Sequence, residues 1–296
     1  MRQIILLVAF IVLALLCAAV LSFPVYKFLQ IFTDIPFHKV TSQLSSLCGL
    51  VFIFLYLRFN GILNKTTAGF NLTNTPIMHD ILTGMTAGIM IMLVLVVVLL
   101  TIGTHHLEPD LHFNLKFIFL VLVKAILSGV FVALIEETLY RGALLGGLSQ
   151  TTNILTAVVL SSIIYAAVHF IKFPQVPANV DINWITGLLI LSDSFYRFGD
   201  IEILDSFFAL FTFGVLLALV RLNKGNIIQC MGLHAGVVFA IKIINELTDY
   251  VPNNNFEFLV SRHDHLLGLL ATAWLFAIIV VYYRYSFMTK KLSEQP

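Results

Sequence analysis

Charge is what this sequence has least of. Only 11% of its 296 residues are Asp, Glu, Lys or Arg, where a soluble globular domain carries about 25%. A chain so poor in charge cannot cover itself with a hydrated surface, which excludes an ordinary soluble domain. Charge of one sign is lacking as well. The formal net charge is +1, so there is no basic field of the kind that draws nucleic acid. Cysteine is nearly absent. Cys17, Cys48 and Cys230 each lie inside an apolar run, which reads as packing and excludes a disulfide framework or a cysteine metal cluster. There is no low-complexity tail, no soluble domain and no internal repeat at the level of sequence.

Apolar runs fill the space these absences leave. Residues of the set AVILMFWYC make up 59% of the chain, and 26 are Phe. Eight runs approach the roughly 20 residues that a bilayer core requires. They fall near 3–23, 43–59, 79–102, 116–135, 151–171, 206–222, 226–245 and 265–284. This predicts an all-α, polytopic membrane protein of about eight transmembrane helices. The first run, IILLVAFIVLALLCAAVL, is longer than a signal-peptide core and no small-x-small cleavage site follows it, so it reads as a retained span.

With the N-terminus in the cytoplasm and the spans alternating, Arg2, Arg58, Lys65, Arg141, Arg221, Lys224, Arg284, Lys290 and Lys291 face inward. Lys27, Lys39, Lys116, Lys172, Arg197 and Arg262 face outward. That bias predicts a plasma-membrane (inner-membrane) protein with both termini cytoplasmic. Many acidic residues, Asp34, Glu108, Asp110, Asp181 and Asp193 among them, fall on the outer side. The longest polar connection, about 172–205, reads as an outer loop broken by Pro174 and Pro177. Within it WITGLLIL is apolar but too short to span, which suits an interfacial or re-entrant piece.

Against this background a few polar residues stand out, because an ionisable group in hydrocarbon is costly unless paired, hydrogen-bonded or functional. In FVALIEETLYRGALLGG, Glu137 and Arg141 are four apart and share a helix face, so they can form an ion pair. Glu136 is rotated by about 100° from Glu137 and points elsewhere. A carboxylate without a cationic partner in a low-dielectric site is suited to general base or acid work. Gly142 and Gly146 form a small-xxx-small step that permits close helix approach. His169 ends the fifth run in LSSIIYAAVHFIKFP, with Tyr165 one turn before it. His234 lies near the middle of the seventh run between Gly232 and Gly236. His105 and His106 (THHLEPD) and His263 and His265 (RHDHLLG) fall in loops and read as structural or solvated. His38, His79 and His112 are boundary residues, and Asp80 reads as a helix-start charge.

Taken together these residues resemble a known family. EETLYR at 136–141 is similar to the EExxxR motif of the CPBP intramembrane proteases, the CAAX-processing and bacteriocin-processing type. YAAVH at 165–169 resembles that family's FxxxH motif, with Tyr165 for Phe. HAGVV at 234–238 resembles its HxxxN motif, with Val238 for Asn. The resemblance divides the chain into N-terminal transmembrane helices (1–114), a CPBP-like catalytic core (115–245) and an outer loop, last helix and cytoplasmic tail (246–296).

It implies a membrane-embedded, glutamate-type endopeptidase acting on a membrane-associated protein or peptide. In that reading Glu136 and His169 activate water, Glu137 and Arg141 pair and shape the site, and His234 stabilises the oxyanion, with Tyr165 and Val238 in support. The resemblance implies a metal-free mechanism and no cofactor. A carboxylate with two imidazoles also matches a three-ligand zinc site, and the sequence leaves both open. Two other classes fit the same residues. Intramembrane Glu and His residues also serve proton relays in transporters. Val238 cannot donate a hydrogen bond, which suits a non-catalytic scaffold or immunity protein that keeps the protease fold.

Overall fold

The computed structural model describes residues 2–73, 76–108, 114–177 and 179–293. Asp110 and His112 lie outside the described residues. Each of the eight expected runs contains a helix, and among the described residues seven helices are long and apolar enough to cross a membrane. The exception is α6 (Ile154–Val168). Its 15 residues rise about 22 Å, short of a hydrocarbon core of about 30 Å. The run expected there begins with Thr151, Thr152 and Asn153. These residues end the preceding helix and start α6, with Asn153 Oδ1 accepting from the Thr156 N–H at 2.9 Å.

The chain forms two compact units, residues 1–64 with 167–201 and residues 65–166 with 202–296. In the first, α1 (Arg2–Leu29) packs on α2 (Phe37–Phe59). Their seam is lined by small residues. Ala14, Ala18 and Cys48 are buried, with Cys17, Leu44 and Phe52 packed around them. The three cysteines are unpaired thiols that fill space between helices.

The second unit is built around α9 (Ile228–Leu247), which packs against α3 (Ile77–Thr101) and α4 (Leu115–Glu137). Glycine makes the approach close. A Cβ at Gly88 would stand 2.2 Å from the Leu233 carbonyl oxygen, and one at Gly236 2.2 Å from that of Met85. Gly129 of α4 meets the Ala235 carbonyl in the same way. Helices in lipid gain little from burying apolar area against each other, so backbone proximity and dispersion hold them together. The large side chains point the other way: on α4, Leu127 is 64% and Phe131 65% exposed. Helix α8 (Leu204–Lys224) packs on α9 and on α10 (Leu269–Ser293). At its end, Lys224 binds Asp80 of α3 at 2.9 Å, so Asp80 is a buried ion-pair partner as well as a helix-start charge.

A small ribbon ties the far ends of these helices. β1 (His105–Leu107) pairs antiparallel with β2 (Thr248–Tyr250). The segment expected as a loop is thus partly a strand, held because the chain leaves α3 and α9 side by side. His105 is buried, and its Nδ1 has no hydrogen-bond partner among the described residues. His265 stacks on the Tyr250 ring at 4.1 Å.

Burial, and then the neighbouring His265 and His106, hold the His105 imidazole below the usual histidine value of 6.5. Between that lowered value and 6.5 the unfolded ribbon binds more protons than the folded one, so stability rises with pH across the window. The contribution is complete above 6.5 and drains away as pH falls through 6.5 toward the lowered value. Hydrogen exchange of the ribbon amides, corrected for intrinsic pH dependence, should therefore show protection lost on acidification. A His105→Leu variant should lose that pH dependence.

Candidate active site

The 37-residue apolar stretch Leu115–Thr151 does not stay α-helical throughout. After Glu137 it widens into a π-helical segment, Thr138–Leu144, then tightens into α5 (Leu145–Thr151). π turns are rare and concentrate at functional sites. Each takes up extra residues per turn, so the side chains beyond it are rotated relative to those of α4. Gly142 and Gly146 lie on the buried side. Their partners are the backbone carbonyls of Ala68 and Thr67, 2.5 Å and 1.9 Å from where a Cβ would stand. The small-xxx-small step thus admits a connecting segment, where the sequence reading expected a helix.

The pairing expected from the i, i+4 spacing forms. Arg141 Nη1 lies 3.4 Å from Glu137 Oε1, with the two side chains 2% and 0% exposed. Arg141 is held at two further points. Its Nη2 donates to the Gly214 carbonyl of α8 at 3.3 Å, and its guanidinium carbon sits 4.2 Å from the Tyr165 ring centre. A cation over an aromatic face is stabilised by the ring quadrupole, more so where water is scarce.

His234 reaches the same carboxylate from α9, with Nδ1 2.7 Å from Glu137 Oε1. An ionised carboxylate only accepts, so Nδ1–H donates and Nε2 is left to face the opposite way. Opposite it stands Glu136, whose Oε2 is 3.9 Å from Nε2. That is too long for a direct hydrogen bond and of the order that one shared water can bridge. The two glutamates therefore differ in setting. Glu137 is wholly enclosed, while the Glu136 side chain is 26% exposed.

The structure thus brings together Glu136, Glu137, Arg141, Tyr165 and His234. Tyr165 packs edge-on to His234, ring centres 6.2 Å apart. Val238, one turn beyond His234, is half-buried. His169 is the residue after α6 ends, half-buried, and belongs to the first compact unit. Among the described residues no three His, Cys, Asp or Glu side chains form a group that could hold a metal ion.

Two residues of this neighbourhood escape the sequence reading, both on α8. Phe213 stands edge-on to His234 at 5.5 Å, and Gly214 supplies the carbonyl for Arg141. A Cβ at Gly214 would meet Ser162 and Tyr165 at 3.1–3.2 Å. A lone glycine inside LFTFGVLL was the available signal, since such a glycine marks close backbone approach.

Apolar spanning helices, with Glu137, Arg141 and His234 buried among them and Glu136 half-buried beside His234, make this a polytopic membrane protein. Residues 116–240 match the family model described as type II CAAX prenyl endopeptidase Rce1-like. The match bears out the resemblance to the CPBP intramembrane proteases, and its span includes all seven site residues named from the motifs. No curated protein and no solved structure matches the chain.

Breaking a buried ion pair by neutralising one member leaves the other stranded, at a cost of roughly 3–5 kcal/mol. Glu137→Gln should therefore lower stability by about that amount in a denaturant titration of the detergent-solubilised protein. Glu136→Gln, at a partly exposed position, should lower it far less.

Proposed function

We propose that this protein is an intramembrane endopeptidase that hydrolyses a peptide bond of a membrane-associated protein or peptide, with Glu136 as the base that activates water. The observation that carries the reading is the division of labour around His234. Glu137 binds both Arg141 and His234 Nδ1 through Oε1, and Glu136 faces Nε2 across 3.9 Å.

Amide hydrolysis needs a base for water, a donor for the oxyanion and a proton for the departing amine. In this reading a water held between Glu136 and His234 gives its proton to Glu136. The resulting hydroxide attacks the carbonyl carbon, and the carbonyl π electrons move onto oxygen. His234, carrying a proton on Nε2, donates to that oxyanion, with Glu137 supporting the imidazolium from Nδ1. Collapse of the tetrahedral species breaks the C–N bond, and Glu136 returns its proton to the amine. For His169, the support for a share in water activation is the YAAVH motif. Val238 leaves the site without the asparagine donor of the family motif. The loss of such a donor costs about 10²–10³ in rate, which suits a slow enzyme.

Glu136→Gln keeps size and polarity but removes the base. Cleavage of a panel of membrane-anchored peptides, a prenylated CAAX tail among them, should fall by roughly 10²-fold or more. Equal activity of variant and wild type would end the proposal. Val238→Asn should raise the rate where an oxyanion donor at that position is still of use.

The mechanism proposed uses no metal. Protein purified without added metal should contain no stoichiometric zinc by elemental analysis. One tightly bound zinc per chain, lost on changing His234, would replace Glu-activated water with zinc-activated water.

We place both termini in the cytoplasm, on the strength of the positive-inside bias over eight alternating spans. This reading takes α6 as a short eighth crossing beside the seven long helices, reached by local thinning of the bilayer. Single cysteines introduced near Arg2 and Lys290 should resist impermeant thiol reagents in intact cells and react after permeabilisation.

A further inference from the structure

The connection between α6 and α8 has the composition of an outer loop, yet part of it packs deep. Its one regular element is α7 (Thr186–Asp193), which buries Thr186, Gly187, Ile190 and Leu191. The partner is α1, within the same compact unit. A Cβ at Gly187 would stand 1.9 Å from the Ala19 carbonyl oxygen, so the two backbones touch there. Ala19 is two residues from Cys17, the centre of the 25-residue apolar stretch Ile5–Leu29. At 1.5 Å per residue that is about 3 Å from the middle of the span. Trp184, in the turn before α7, packs on Phe23 with ring centres 5.1 Å apart. Phe23 is six residues from Cys17, about 9 Å from the middle. A hydrocarbon core of about 30 Å reaches some 15 Å to either side, so both contacts fall within it.

A chain that turns at this depth must satisfy its own backbone, because acyl chains offer no hydrogen bonds. The turn does so locally. Asn183 Oδ1 accepts from the Ile185 N–H at 2.9 Å, and Thr186 Oγ1 accepts from the Asn183 N–H at 2.9 Å. At the other end the Ser194 hydroxyl donates to the Leu191 carbonyl at 2.7 Å. The face turned away from α1 is large and apolar: Trp184, Ile185 and Leu189 are 57%, 61% and 59% exposed. On α1, Leu16 and Val20, three residues before and one after Ala19, are exposed as well.

We propose that Asn183–Ser194 is a re-entrant membrane element, seated on the middle of α1, whose Trp184–Leu189 face is covered by lipid acyl chains. It enters and leaves the bilayer from one side. Gly187 is the residue that lets it sit at that depth, since any side chain there would collide with the α1 backbone.

The chain has two tryptophans, so Trp274→Phe leaves Trp184 as sole reporter. The variant is reconstituted into phosphatidylcholine vesicles carrying bromine at defined carbons of the acyl chain. Trp184 emission should be blue-shifted, lost to bromines within the acyl region and untouched by aqueous iodide. Gly187→Leu in the same background should move the strongest quenching toward the headgroup. Should Trp274→Phe fail to fold, the difference in quenching between wild type and Trp184→Phe reads the same depth. Quenching of Trp184 by iodide, or by headgroup-proximal bromines alone, would make the segment an interfacial loop and overturn the proposal. Protection from bromine and iodide alike would mean that protein covers the face, and would overturn it equally.

Discussion

A carboxylate with no exposed surface, inside a helix bundle in a membrane, is the constraint around which the second unit is organised. Moving an ion out of water costs several kcal/mol even after relaxation, and Glu137 is 0% exposed. Two groups offset this. Arg141 comes from the next turn of the same chain and His234 from α9. Arg141 is itself buried and needs the Gly214 carbonyl of α8 and the Tyr165 ring of α6. One carboxylate thereby binds four helices to a common point. It also sets the histidine's orientation, because the Nδ1–H donated to Glu137 determines which nitrogen is turned toward Glu136.

Such a cluster requires short reach, and short reach requires small residues. His234 sits between Gly232 and Gly236, which press on the Ile81 and Met85 carbonyls of α3. On another side Ala235 meets Gly129 of α4. A larger residue at any of these points would hold α9 off its neighbours by more than a hydrogen bond can stretch. The glycines act on the site through distance, although none of them carries a chemical group that takes part in it.

This explains which parts were legible in the sequence. Ionisable residues in apolar runs are visible because hydrocarbon makes them conspicuous. Glu136, Glu137, Arg141 and His234 therefore stood out, and the i, i+4 rule paired the right glutamate with Arg141. The apolar runs themselves predicted every spanning helix. What stayed hidden depends on tertiary contact. No local signal in TLYRGAL announces a π segment. Phe213 belongs to an apolar run like any other until α8 packs beside α9, and the lone Gly214 in that run marks a close approach without saying which backbone or side chain comes near. The ribbon at His105–Leu107 exists because α3 and α9 end together, which a polar, histidine-rich connection does not disclose. The shortness of α6 was partly visible in Thr151, Thr152 and Asn153, residues better suited to capping than to hydrocarbon.

The surroundings of His234 also bear on how strongly its charges act. Phe213 and Val237, which flank it, line a small apolar cleft with Met92, Leu95, Trp274 and Leu275. Water has no polar partner in such a space, so the cleft lowers the dielectric on that side of the imidazole. Charge interactions weaken in proportion to the effective dielectric constant. A change of charge at Glu136 or on the oxyanion facing His234 is therefore felt more strongly by Glu137 and Arg141 than it would be at a wet surface. That setting favours groups fixed in advance over groups that reorganise during reaction. Arg141, pinned at a carboxylate, a carbonyl and an aromatic face, is fixed in that sense. Glu136 differs from Glu137 in that part of its side chain is exposed, although the Oε2 facing His234 is buried.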